Sequence, residues 1–403
     1  MKAIVYYERV KTMGTKHLYL NKIQLKTETE RCLKCPTAPC SKACPVGCNP
    51  MEFIAFAKNG EWEKAVRSIV TINPMGQTCG LICPDKFCMK TCTRGNIDFP
   101  INIPKIQATI MENHYPENKR TISESKNDFK IAVIGAGPAG IAAASELAVH
   151  GYNVSIFESS DKIGGALNMI PEDRLPHSVI ERDCLHALDS DLIDLHLNSI
   201  IPSAKSLLKE KGYAKVIVAT GEPNVSLLNI DGQELSVNHV EYLYNPEKYT
   251  AIGKVAVIGG GNVAIDCAFT AIKNGATQVE MIVRRRLSDM RISKHEYLEL
   301  IDKKINVLTL TSPQKIVKDK DKLTLFVCRN NLIEGKAQMV ENSTAALTDF
   351  DLVITAVGSR ANAKENDDPD IIYAGDCLNG GSTLVEALAS GKKAAVAIMN
   401  NSI

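Results

Sequence analysis

The order of apolar and polar positions divides this chain into two textures. In the first, up to about residue 125, apolar residues recur at helical spacing. The stretch "MEFIAFAKNGEWEKAVRSIVTINP" (51–74) carries them three and four apart and stops at Asn73-Pro74, so it is expected to be helical and to end there. No alternating strand pattern stands out in this region. The run "HYPENKRTISESKND" (114–128) is polar, lacks aliphatic periodicity and reads as a linker. The texture then changes. "KIAVIGAGPAGIAAASELAVHGYNVSIFES" reads as strand, glycine turn, helix and strand. "KVAVIGGGNVAIDCAFTAIKNGATQVEMIVRRR" repeats that plan about 124 residues later. "KVIVATGEPN" reads as a strand closing the first half. "DIIYAGDCLNGGSTLVEALASGKKAAVAI" supplies a last strand, a Gly-Asp turn and a helix.

The expected fold class is therefore α/β: an N-terminal helical domain (1–125) followed by two nested Rossmann-like dinucleotide-binding domains. The first takes residues 126–230 and 346–403, and the second takes 231–345. At 403 residues the chain is long enough for two or three domains with proper cores. Its formal net charge of +1 gives no electrostatic reason to expect nucleic acid or an acidic membrane surface as a partner. The N-terminus lacks the pattern of a signal peptide, and no apolar run reaches the roughly 18 residues that span a bilayer, so a cytoplasmic protein is expected.

Thirteen cysteines are too many to ignore, and nine of them lie between Cys32 and Cys92. In a compartment that keeps thiols reduced they are not a disulfide framework. The first block is Cys32-x2-Cys35-x4-Cys40-x3-Cys44-Pro45, and the second is Cys79-x3-Cys83-x4-Cys88-x3-Cys92. Thiolates so spaced can converge on a soft metal centre. Two structural zincs and plain reduced thiols are the competing readings, but zinc sites usually set two close pairs far apart, whereas these are runs of four. Pro45 and Pro84 follow cysteines as in bacterial ferredoxin runs, and two [4Fe-4S] clusters are expected. Their company favours this: iron and sulfur beside two dinucleotide domains make an electron wire, and zinc carries no electrons. Spacing leaves open whether each block serves one cluster or the last cysteine of a run crosses to the other. Cys184, Cys267, Cys328 and Cys377 are scattered and read as small buried residues.

In "VIGAGPAG", Gly135 allows a tight turn, Gly137 lets the backbone approach a pyrophosphate, and Gly140 lets helix pack on strand; Pro138 and Ala139 lie between them. The next strand ends at Glu158, a carboxylate placed for ribose hydroxyls. Gly164 and Gly165, soon after it, and the returning "YAGD" turn (Gly375, Asp376) favour FAD in this domain. The helix beginning near Ser382-Thr383 would aim its positive end at the flavin. Gly221 lies at the end of the closing strand. In the second domain Gly259, Gly261 and Ala264, with Asn262 and Val263 between, form a G-x-G-x-x-A turn. There the second strand ends in Arg284-Arg285-Arg286, with Arg291 nearby, where NADH would call for an acid. Guanidinium groups suit a 2′-phosphate, so NADPH is expected, with NADH as the alternative.

These residues together resemble the glutamate synthase small-subunit type of flavoprotein. The closer likeness is to the N-terminal part of dihydropyrimidine dehydrogenase, which in bacteria is a separate NAD(P)H-oxidising subunit. The likeness runs from Cys32 to the C-terminus and rests on "RCLKC", "NPMGQTCGLICP", "PINIPKIQ", "IPEDRLP", the two glycine motifs and "AGD". It implies that Gln107 joins Cys32, Cys35 and Cys40 on one cluster. Cys44 would then cross to join Cys83, Cys88 and Cys92 on the other, with Cys48 and Cys79 as spectators. It implies a 2′-phosphate site at Arg284, Arg285 and Arg291, and it brings Arg174 and Thr383 into the cofactor contacts. Two departures stand out: the bacterial subunit is associated with NADH, and "IPEDRLP" lacks the usual Gln-Phe pair. No residue is expected to act as nucleophile or proton donor. The chain shows no FMN barrel of its own, so the resemblance implies a hetero-oligomer with a second catalytic subunit, an FMN and iron–sulfur β/α-barrel protein that reduces uracil and thymine. The alternatives are a glutamate synthase small subunit and a ferredoxin:NADPH oxidoreductase component.

Overall fold

The computed structural model describes residues 18–116, 127–210, 212–222, 224–250, 253–290, 292–360 and 368–400. Most of the expected linker and Arg291 lie outside them. The chain divides into two compact units: Met1–Asn168 with Glu172–Glu222 and Ala361–Ile403, and Met169–Pro171 with Pro223–Arg360.

The cysteine-bearing part of the first unit is helical, with no strand among its described residues. Its helices are α1 (Lys22–Glu30), α2 (Pro39–Lys42), α3 (Pro50–Lys58), α4 (Trp62–Val70), α5 (Gly76–Ile82) and α6 (Ile103–Asn113). Asn21 caps α1, taking the Gln24 N–H at 2.9 Å while Gln24 Oε1 takes its own. The stretch 51–74, read above as one helical run, is two helices. Asn59 closes α3, and Gly60 at φ +77° turns the chain into α4. Apolar stripes of α3, α4 and α6 meet in a core that includes Phe53, Ile69, Ile106 and Ile110, all fully buried. Helices α5 and α6 cross in close contact. A Cβ on Gly80 of α5 would lie 2.5 Å from the Ala108 nitrogen of α6, so only glycine permits this approach. The crossing sets the helix between Cys79 and Cys83 against the one that carries Gln107.

A doubly wound sheet follows: β1 (Asn127–Ile134), α7 (Pro138–Val149), β2 (Tyr152–Phe157), α8 (His177–Leu188), β3 (Ile193–His196), α9 (Ala204–Glu210) and β4 (Lys215–Val218). The strands pair in parallel, and their near-continuous apolar runs reflect burial on both faces.

The second unit opens with β5 (Asn224–Val225), β6 (Val237–Asn238) and α10 (His239–Tyr244). It then repeats the winding with β7 (Lys254–Ile258), α11 (Asn262–Lys273), β8 (Gln278–Val283), α12 (Lys294–Asp302) and β9 (Asn306–Thr309). An antiparallel set completes its sheet: β10 (Thr311–Asp319), β11 (Lys322–Ile333), β12 (Lys336–Met339) and β13 (Ala345–Thr355). The strand order is β10-β11-β13-β7-β8-β9. The domain border expected at 345/346 is corrected here, because β13 pairs in parallel with β7 and closes this second sheet. Residues 224–230 also belong to the second unit. The short β14 (Ser359–Arg360) pairs with β5.

The chain then returns. β15 (Ile371–Tyr373) adds to β4, giving the order β15-β4-β1-β2-β3 in the first unit. A short helix α13 (Asp376–Asn379) leads to α14 (Leu384–Asn400), which lies so close to α7 that a Cβ on Gly391 would sit 2.0 Å from the Ala139 carbonyl oxygen.

Candidate functional sites

In the first unit, a glycine turn links β1 to the start of α7. Gly135 has φ +104°, and a Cβ there would lie 2.5 Å from the Ala219 carbonyl oxygen. Pro138 starts α7, where its missing N–H costs nothing. Gly137 stands before it with only the Gly165 Cα near its open side, so backbone amides and the helix N-terminus are presented to a ligand. The Gly164 N–H donates to the Ala136 carbonyl at 2.8 Å, which lays the Gly164-Gly165 turn against the same loop. Glu158 is buried at the end of β2. One carboxylate oxygen takes the Ala136 N–H at 2.8 Å, and the other takes the Ser160 N–H at 2.8 Å and hydroxyl at 3.0 Å. The carboxylate is thereby held rigid beneath the glycine turn. Arg174 is half-buried in the loop before α8.

The returning segment completes this site. Gly375 (φ +74°) leads into Asp376, whose carboxyl is pushed up by burial while the Ser382 hydroxyl donates to it. Thr383 donates from its N–H (3.0 Å) and hydroxyl (2.6 Å) to Glu386 one turn into α14. Glu222, directly after Gly221, was not singled out from the sequence. Its carboxyl is raised by burial and by the nearby Asp376, and its buried Oε1 has no hydrogen-bond partner among the described residues. An unmet acceptor beside Asp376 fits a ligand that brings donors, such as the polyol chain of a flavin dinucleotide.

In the second unit, Gly259 (φ +150°) makes the equivalent turn against the Ala356 carbonyl. A Cβ at Gly261 would meet open space, Val263 is exposed at the start of α11, Ala264 is fully buried, and Asn262 Oδ1 is buried with no partner among the described residues. That is a cradle with room for a pyrophosphate. At the end of β8, Arg284 is exposed and Arg285 half-buried, while Arg286 is engaged with Asp289 at 3.0 Å.

Cysteines of the two blocks lie near one another. Burial pushes Cys88 up to about 12 and raises Cys79 and Cys83 well above the ordinary thiol range, and in each of the three the Cys44 charge adds to the effect. Cys44 therefore lies near Cys79, Cys83 and Cys88. Its own thiol is lowered to about 6, first because Cys48 donates a hydrogen bond to it. Cys48 thus lies within hydrogen-bond reach of Cys44. Cys40 feels the charges of Cys32 and Cys92, and the Cys35 thiol donates to the Thr93 hydroxyl at 3.4 Å, so Cys92 lies near the first block. Among the described residues no three His, Cys, Asp or Glu side chains stand close enough together to hold a single ion. Gln107 is buried on α6, and its Nε2 donates to the Gly76 carbonyl at 2.6 Å. Since that carbonyl can only accept, the amide is fixed with its nitrogen towards Gly76 and its oxygen free of that bond.

A buried network ties the cysteine helices to the first sheet. Asp183 of α8 takes the Thr78 N–H of α5 at 2.7 Å and the Tyr115 hydroxyl at 2.8 Å. Beside it Arg182 reaches Glu112 at 2.8 Å and also Gln77. On the other side, Lys392 of α14 donates to the Ile72 carbonyl at 2.9 Å. Lys86, inside the Cys83–Cys88 loop, lies 3.4 Å from Glu386.

A helical cysteine domain joined to two dinucleotide-binding sheets defines a class: pyridine nucleotide-linked flavoprotein oxidoreductases that carry iron and sulfur. Comparison with known proteins agrees. Residues 129–371 match the model of the pyridine nucleotide-disulphide oxidoreductases, and residues 9–119 match that of dihydropyrimidine dehydrogenase domain II, 4Fe-4S cluster. The chain is 30% identical to the NAD-dependent dihydropyrimidine dehydrogenase subunit PreT homolog of Salmonella typhi, covering 92% of each. It is 28% identical to the NADP(+)-dependent formate dehydrogenase subunit beta of Moorella thermoacetica, covering 90% of this chain and 59% of that protein. Among solved structures, FprA of Mycobacterium tuberculosis in complex with NADPH shares the fold at TM-score 0.61 and 16% identity, over 68% of this chain and 85% of that one. The chain belongs to the pyridine nucleotide-disulphide oxidoreductase family, in the branch that carries the N-terminal 4Fe-4S domain of dihydropyrimidine dehydrogenase. It is an NAD(P)H-dependent oxidoreductase. Among the described residues no helix is long and apolar enough to cross a membrane.

Proposed function

We propose that this chain takes electrons from NADPH and delivers them, through FAD and two [4Fe-4S] clusters, to a partner subunit that reduces uracil and thymine. The observation that carries this reading is the joining of the cysteine helices to the FAD-type sheet within one compact unit, by Asp183, Arg182 and Lys392. Electron transfer between cofactors requires a fixed separation, and a buried hydrogen-bonded seam supplies it.

A bound flavin would supply two-electron acceptance from a nicotinamide and one-electron release towards iron and sulfur. The residues do the placing. Gly135, Gly137 and the start of α7 would hold the pyrophosphate, Glu158 the ribose, and Asp376 with Glu222 the polyol chain. Thr383 and Glu386 cap α14 and fix its N-terminal turn, the end whose positive dipole would face the flavin. Cys32, Cys35, Cys40 and Gln107 would hold one cluster, and Cys44, Cys83, Cys88 and Cys92 the other. Gly259, Gly261 and Asn262 would take the nicotinamide dinucleotide, with Arg284 and Arg285 on its 2′-phosphate. The likeness to a subunit named for dihydropyrimidine dehydrogenase supports the pyrimidine reading and a partner of the FMN β/α-barrel kind.

A second reading is a reductase module of the same cofactor set that serves a different acceptor. The basic end of β8 favours it, since the dihydropyrimidine dehydrogenase relatives are named NAD-dependent and the Moorella relative NADP(+)-dependent. Anaerobic capture of the tagged chain from its native extract separates the two. Co-purification of an FMN barrel protein whose complex with this chain reduces uracil with NADPH supports the first. A formate dehydrogenase or an amidotransferase as partner, with no uracil reduction, removes it.

A further inference from the structure

The basic corner after β8 is tied to its sheet in an unusual way. Asn330, on β11, is 4% exposed. Its Nδ2 donates to the Arg284 carbonyl at 3.1 Å and to the Ser312 hydroxyl at 2.8 Å. Its main-chain N–H donates to the Leu310 carbonyl at 2.7 Å, and the Leu310 N–H donates to the Arg285 carbonyl at 3.0 Å. Leu310 itself sits at φ +52°, a conformation that a γ-branched residue rarely takes without support. The carbonyls of Arg284 and Arg285 are therefore held consecutively, one by a buried side chain and one by a strained backbone that the same asparagine anchors. Asn330 Oδ1 has no protein partner among the described residues. The amide is thus oriented entirely by what its nitrogen does, and both of its acceptors lie at this corner.

A buried amide is costly to retain unless its donors are used. Here they are spent on the backbone of the two arginines that would reach the nucleotide, and on the strand beside them. Long guanidinium side chains lose rotamer freedom when they bind, and a fixed backbone origin lowers that loss. We propose that Asn330 is a positioning residue that fixes the Arg284-Arg285 corner and so sets the preference for a phosphorylated over an unphosphorylated adenosine ribose. This rests on the NADPH reading above. Asn330 would touch neither ligand and would act through the backbone of the arginines.

The test compares binding of 2′,5′-ADP and 5′-AMP to the cofactor-loaded chain by calorimetry, in wild type and in Asn330→Leu, which keeps the branched outline and removes the donors. Asn331 is exposed on the opposite face of the same strand, and Asn331→Ala is the control. The expected result is a loss of about tenfold for 2′,5′-ADP, a change of less than about twofold for 5′-AMP, and no change in either for the control. If Asn330→Leu fails to fold, Asn330→Ser, smaller and with a single donor, is expected to move the same ratio in the same direction. An equal loss for both ligands makes the residue merely structural and overturns the inference, as does no loss for either. Equal wild-type affinity for the two ligands would overturn the NADPH reading itself and this inference with it, which separates the two failures.

Discussion

Replacing Gly80 by alanine puts one methyl group where α5 crosses α6. Built at ideal geometry, that Cβ lies 2.5 Å from the Ala108 nitrogen, 2.7 Å from its Cα and 2.8 Å from its Cβ. None of these is the movable end of a side chain, so the helices must separate by about 1 Å to restore ordinary contact. Two effects compete. Alanine in a helix interior gains about 1 kcal/mol over glycine. Overpacking against backbone costs about 1–3 kcal/mol and is not relieved by a rotamer change. The steric cost is expected to win, giving a net destabilisation of about 1–2 kcal/mol. The larger consequence is geometric, because α5 ends at Cys83 and α6 carries Gln107 beside Ala108. A shift of about 1 Å between them spoils cluster assembly while leaving the glycine turn at Gly135, on another part of the unit, in place. Iron, sulfide and FAD are measured per chain after anaerobic purification. The expected outcome is iron and sulfide reduced by at least about half with FAD retained. Full iron content with an unchanged melting midpoint would refute the reasoning.

Three further outcomes follow from the same geometry. The Asp183 carboxyl is raised to about 6, first by burial, so the folded state holds its proton more tightly than the unfolded state; the resulting stability is present at acid pH and is lost as pH rises through about 6. Asp183→Asn keeps the contacts to Thr78 and Tyr115 and is expected to melt higher than wild type at pH 8, by roughly 2–3 kcal/mol of stability, with the gap narrowing below pH 6; a gap that does not change with pH would refute it. Glu158→Ala removes the acceptor of the Ala136 and Ser160 N–H groups, and about tenfold or greater loss of FAD affinity is expected in apoprotein titration, with retention of wild-type affinity as the contrary result. Gln107→Cys places a thiolate where an amide oxygen would ligate, so the potential of one cluster should fall in a redox titration followed by EPR; unchanged signals would take Gln107 out of the ligand set.

What could be read in advance was local. Gly135, Gly259 and the apolar strands before them lie in single short runs, and a turn of that kind is dictated by residues only a few places apart. The helical cysteine domain was legible for the same reason, though the break at Asn59-Gly60 was hidden inside a periodic run whose phase continues across it. The border of the second sheet was placed too early because β13, "AALTDFDLVIT", begins on exposed polar positions and becomes apolar only where it meets β7. Contacts between distant residues were not legible at all. Asp183 meets Thr78 across 105 positions and Asn330 meets Arg284 across 46, and nothing in either neighbourhood marks the partner. Glu222 escaped because its role depends on Asp376, which the fold brings back from the far end of the chain.

The central claim is that clusters, flavin site and nicotinamide site form one conducting path. The most direct test starts from the far end. The fully loaded chain is photoreduced anaerobically until its cluster EPR signals appear, and NADP+ is then added. The account predicts that the cluster signals fade as NADPH forms, and that they persist in chain stripped of FAD. Cluster signals that survive excess NADP+ in the loaded chain, while the flavin alone is reoxidised, would contradict it.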